Sequence, residues 1–129
     1  MKRFIFVALV LVLALPSACT HAQDTGIDLQ HECQAVLATD RTTEQSIQAS
    51  HCLGYISGAA FSISMWQGFN KGKSRGLEDV PACLPEKGTN EEYIKVVLRY
   101  LDKNPNRLHV SYGVLVFLAF NDAYPCTAK

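Results

Sequence analysis

Four cysteines, at positions 33, 52, 83 and 126, constrain this chain more than any other feature. Their weight depends on what precedes them. Lys2 and Arg3 form a short positive region, Phe4 through Leu15 an unbroken apolar run, and Pro16, Ser17 and Ala18 a turn-forming, small-residue exit. That order is the pattern of a secretory signal, which sends a chain to a compartment where thiols oxidise. The apolar run is 12 residues, against about 20 for a bilayer-spanning helix, so a retained anchor is the weaker reading. Thr20-His21-Ala22 approximates a cleavage site, making residues 1–22 a signal peptide and 23–129 the mature domain. A second exit lies at Ala18-Cys19, where cleavage would leave Cys19 lipidated. Such signals usually carry Leu three places earlier, and here Pro16 stands there. The expectation is a soluble periplasmic protein, with a lipid anchor at Cys19 as the minority alternative.

Loss of the leader removes Cys19 and leaves an even set: Cys33, Cys52, Cys83 and Cys126. An even count in a short exported chain reads as a disulfide framework with three possible connectivities. Pairing neighbours along the chain, Cys33–Cys52 and Cys83–Cys126, is preferred, although sequence alone does not fix it. Closures of 19 and 43 residues would contribute about 3 and 4 kcal/mol in the loop-entropy account. Small-domain stability is about 5–15 kcal/mol in total, so these staples matter. The mature 107 residues carry 10 basic and 12 acidic side chains. A formal charge of −2, with no basic stripe, argues against nucleic acid or an anionic membrane as partner.

The remaining pattern is helical. Asp28 is placed to cap a first helix whose apolar stripe is Leu29, Cys33, Val36 and Leu37, after a flexible leader at 23–27. Polar residues from Thr39 to Gln45 read as a loop. From Cys52 to Asn70, 19 residues carry no charge, with Ile56, Ala59, Ala60, Ile63 and Trp66 at helical spacing, which predicts a buried central helix. Gly54 and Gly58 share one of its faces, and glycine inside a helix needs a reason such as close packing of another backbone. Membrane helices use the same spacing for dimerisation; in a soluble domain internal packing is the expectation. A long connection from Gly68 to Gly88 follows. Thr89 and Glu92 form a capping box for a third helix bearing Tyr93, Val96, Val97, Tyr100 and Leu101, ended by Asn104-Pro105. A fourth runs from about Ser111 to Ala123, apolar from Val114 to Phe120, and Pro125 stops it. Such a helix needs cover from the core or a second subunit. The fold class is all-α, a small bundle of about four helices stapled by two disulfides.

Chemistry is hard to place. There is no G-x-S-x-G, no phosphate-binding glycine loop and no H-E-x-x-H. His31 near Cys33 and His51 beside Cys52 lack zinc-ligand spacing. A Cys–His hydrolase built from those residues or His109 would need a free thiolate, and each thiol has a use in a disulfide. Asp28, Glu32 and Asp40 show no paired-carboxylate logic. Neither catalysis nor a cofactor or metal is expected.

Several segments, in order, resemble the Tai/Rap family of immunity proteins against type VI secretion amidase effectors. They are Cys52-Leu53-Gly54-Tyr55-Ile56-Ser57-Gly58, Cys83-Leu84-Pro85, Asn104-Pro105 with Leu108-His109 and Ser111, and Ala123-Tyr124-Pro125-Cys126. Tyr124 stands where Phe would be expected. The resemblance, from about Leu29 to Cys126, implies a helical, disulfide-bonded periplasmic protein, commonly a homodimer, that blocks the active-site groove of a peptidoglycan amidase. The residues that carry it are mostly structural. For contact with the effector, the polar connections held by rigid helices are the candidates: Lys71, Lys73 and Arg75 within the loop from Lys71 to Asp79, and Arg107 and His109 in the turn from Lys103 to His109. The alternatives are a small helical chaperone of the acid-stress kind, or an interaction protein that shares the fold alone.

Overall fold

The computed structural model describes residues 24–70 and 82–126, which form four α-helices and no strand. They are α1 (Gly26–Leu37), α2 (Thr43–Asn70), α3 (Asn90–Lys103) and α4 (Tyr112–Ala123), with a 3-10 turn at Pro105–Arg107 between the last two. The all-helical expectation holds, and both preferred disulfides are present: Cys33–Cys52 with Cα atoms 5.2 Å apart, and Cys83–Cys126 at 4.9 Å. The export leader with Cys19, and the loop residues Lys71, Lys73 and Arg75, lie outside the described residues.

Local signals explain where the helices begin. Thr25, not Asp28, caps α1: Asp28 sits three residues in and accepts from the Thr25 backbone N–H (2.8 Å) and hydroxyl (2.7 Å). These bonds from Thr25 hold the Asp28 carboxyl below the usual carboxylate range. The start of α2 lies inside the stretch read as a loop. Gln45 accepts from the Thr42 backbone N–H and Thr42 Oγ1 from that of Gln45, a reciprocal cap that launches the helix at Thr43. For α3 the expected box is in place, with the Thr89 N–H bonded to Glu92 at 2.8 Å and the Glu92 N–H to Thr89 Oγ1 at 3.3 Å. Asn104 closes that helix, its side-chain amide donating to Tyr100 O at 2.8 Å.

The core lies where all four helices meet, around the fully buried Phe120, Leu29, Ile56, Ile94, Leu101 and Leu115. Tyr93 packs edge-on to Phe120 with ring centroids 5.5 Å apart, a favoured aromatic geometry. The Cys33–Cys52 bridge is wholly inside and joins α1 to α2. Cys83–Cys126 joins the chain leading into α3 to the end of the fold, beside a bond from Cys83 N–H to Tyr124 O.

The expectation of a buried central helix fails in part. α2 is not buried on all sides: Ala49, Cys52, Ile56, Ala60 and Ile63 form its inner stripe, while Phe61, Met65, Trp66 and Phe69 are exposed. Trp66 therefore does not belong to the core stripe. Among the described residues no other backbone crosses at Gly54 or Gly58, where a Cβ would meet nothing within 4 Å. Period alone identified the helix, but a long apolar helix can show a second apolar face to the outside. α4 behaves likewise, with Leu115, Val116, Ala119 and Phe120 inside and Val114 and Phe117 exposed.

Candidate functional site

The turn between α3 and α4 carries the two contact candidates that the structure describes, Arg107 and His109, both exposed. It is rigid for reasons that can be traced residue by residue. Pro105 opens a 3-10 turn, within which Arg107 N–H bonds Asn104 O (2.9 Å) and Val110 N–H bonds Arg107 O (2.9 Å). The Arg107 guanidinium donates to the Tyr100 hydroxyl at 3.0 Å, which fixes the side chain against α3 while its charge still faces outward.

From the other side the turn is pinned to the start of α1. Gly26 N–H donates to Val110 O at 3.1 Å and Tyr112 N–H to Asp24 O at 2.9 Å, flanking an isolated bridge between Thr25 and Ser111. The segment expected as a flexible leader is thus ordered from Asp24 onward. Gly26 permits this approach: a Cβ there would lie 2.5 Å from Leu115 Cδ1 and 3.0 Å from the Leu108 backbone.

A polar node at the start of α4 joins three helices. Glu32 on α1 accepts from the Tyr112 hydroxyl of α4 at 2.6 Å and meets His51 Nδ1 of α2 at 2.7 Å, both at the same carboxylate oxygen. Tyr55 stacks edge-on against Tyr112 with centroids 4.5 Å apart. Burial, then the bond to Glu32 and its charge, push the Tyr112 hydroxyl far above the ordinary tyrosine range. It is a permanent donor. In the sequence Glu32 shows no paired-carboxylate logic, and His51 is weighed only as a zinc ligand or a hydrolase base beside Cys52.

At the other end of the bundle, Leu84 and Pro85 are clamped. Gln67 bonds both backbone groups of Leu84 (3.2 and 3.4 Å), and the Tyr93 hydroxyl donates to Pro85 O at 3.4 Å. A groove of about 420 Å³ runs beside this clamp, bordered by Ser57, Phe61 and Ser64 of α2 and by Pro85 and Tyr93. Among the described residues no group of three or more His, Cys, Asp or Glu is arranged to hold a metal ion. No described helix is long and apolar enough to cross a membrane.

A family model described as Rap1a immunity proteins matches residues 25–126. The match begins at the residue that caps α1 and ends at the last disulfide cysteine. No curated protein and no solved structure matches the chain.

Proposed function

The chain belongs to the Rap1a immunity protein family, and from that premise we propose that it acts in the periplasm as a homodimer that binds a type VI secretion peptidoglycan amidase and occludes its active site. Inhibition is steric and needs no reaction by the immunity protein. The family match carries this reading, and the rigidity of the α3–α4 turn supports it. A loop already ordered by Tyr100, Gly26 and Asp24 loses little conformational freedom when it enters a groove. Arg107 and His109 stand on that loop, and their exposure suits them to contact a partner. Lys71, Lys73 and Arg75 remain the second proposed contact, through the charge they place on one connection.

The test is direct. An amidase encoded by a neighbouring gene and sent to the periplasm should lyse cells. Co-expression of this protein should prevent lysis, and a version lacking residues 1–22 should not. Lysis unaffected by the exported protein would overturn the assignment.

A further inference from the structure

The two disulfides sit in different surroundings. Cys33 and Cys52 are wholly buried in the core, whereas Cys83 and Cys126 are both half-buried. Thiol–disulfide exchange requires an attacking thiolate to reach a sulfur, so access separates a labile bridge from an inert one. The outer bridge also spans a defined pair of ends. α3 and α4 form an antiparallel hairpin, with Tyr93 near the start of α3 set against Phe120 and Tyr124 at the end of α4, ring centroids 5.5 and 6.1 Å apart. Cys83–Cys126 clasps the open ends of that hairpin, opposite the Pro105–Arg107 turn. Contacts that are not covalent back it up. Cys83 N–H donates to Tyr124 O at 2.8 Å, and Gln67 and Tyr93 hold Leu84 and Pro85.

We propose that Cys83–Cys126 is a redox-sensitive clasp, opened by a dithiol reductant of the C-x-x-C kind while Cys33–Cys52 stays closed. One thiolate of the reductant attacks a sulfur of the bridge, the S–S bond breaks, and the other cysteine leaves as a thiolate that takes up a proton. The reductant's second thiol then closes on the mixed disulfide and frees the remaining cysteine. Two electrons and two protons have passed to Cys83 and Cys126, and the reductant is left as a disulfide. The opened protein keeps its fold, because the inner bridge, the Gln67 clamp and the Tyr93 ring contacts do not use the broken bond. What changes is how often the hairpin opens. Releasing a closure of 43 residues raises the unfolded share about 1,000-fold in the loop-entropy account. The end of α4, where Tyr124 N–H bonds Phe120 O, frays first. The clasp thus sets the lifetime of the fold and not the shape of the turn, which Tyr100, Gly26 and Asp24 hold at the other end. That this lifetime limits immunity rests on the function proposed above; the selective opening does not.

The test treats the oxidised mature protein with dithiothreitol under native conditions, traps thiols with iodoacetamide, and reads each cysteine by peptide mass. Cys83 and Cys126 should be almost fully alkylated while Cys33 and Cys52 remain almost untouched, with helicity retained. Freed of reductant, this form should be cut by subtilisin at least 100-fold faster than the oxidised protein, since cleavage follows the share of open molecules. The double variant Cys83→Ser with Cys126→Ser, which carries no alkyl group, should show the same increase. All four cysteines alkylated in parallel, or none before denaturant is added, would overturn the selective opening. Proteolysis unchanged in both opened forms, or helicity lost in both, would overturn the clasp. Oxidised protein that fails to inhibit a neighbouring amidase would sink the function proposed above and leave the clasp standing.

Discussion

The Tyr112 hydroxyl lies 2.6 Å from Glu32 Oε2, joining residues 80 positions apart in the chain. The same Glu32 oxygen also meets His51 Nδ1 at 2.7 Å, so one carboxylate ties α4 to α1 and α2 at the start of α4, next to the turn proposed to contact the effector. A hydrogen bond to a charged, partly buried acceptor contributes about 1.5–3 kcal/mol. Tyr112→Phe should lower stability by about that amount in urea titration. It should also speed amide exchange at Val110 and Tyr112, whose neighbours depend on the node.

The disulfides should differ in weight. Replacing Cys33 and Cys52 by Ala together should cost about 3 kcal/mol, and replacing Cys83 and Cys126 about 4, by the lengths of chain they close. The first pair is wholly buried, so alanine rather than serine keeps an added hydroxyl out of the core. Denaturation midpoints of both double variants, against the oxidised wild type, check the order.

Glycine substitutions should separate the two kinds of glycine. Gly26→Ala forces a Cβ to within 2.5 Å of Leu115 Cδ1 and 3.0 Å of the Leu108 backbone, and should destabilise by about 1–3 kcal/mol. Gly54→Ala meets nothing within 4 Å among the described residues and removes the flexibility of a mid-helix glycine, so the monomer should gain about 0.5–1 kcal/mol. Thermal melts at a dilution where the wild type is monomeric would show opposite signs.

Acid should act first on the helix caps. Thr25 holds Asp28, and Thr89 holds Glu92, below their ordinary range. A depressed carboxylate stabilises the fold above its unfolded pKa, and that contribution disappears as pH falls through the folded value. Stability should therefore be level from neutral pH to about 5 and decline below about 4. Asp28→Asn and Glu92→Gln should flatten the decline. Broad unfolding with exposure of apolar surface between pH 5 and 6 would instead favour the acid-stress chaperone alternative.

How much of this was legible follows from range. The α3 capping box is a four-residue signal and was read correctly. The same signal at Thr42 and Gln45 was available, but a run of polar residues read as a loop concealed it. The node was not legible, because Tyr112 comes to Glu32 only through the packing of α4. Half of it could have been found: Glu32 and His51 each precede a cysteine of the same bridge, so that pairing already places them side by side. The exposed face of α2 escaped notice because a helix apolar on both sides has no strong period to betray which side is out.

The measurement closest to the central claim is titration of the purified mature protein into a type VI peptidoglycan amidase encoded by a neighbouring gene, the partner proposed above, with peptidoglycan cleavage as the readout. Activity should fall linearly to zero at one immunity protomer per amidase, and Arg107→Glu with His109→Glu should weaken inhibition at least 10-fold without loss of helicity. Full cleavage in the presence of a ten-fold excess of folded protein would contradict the account.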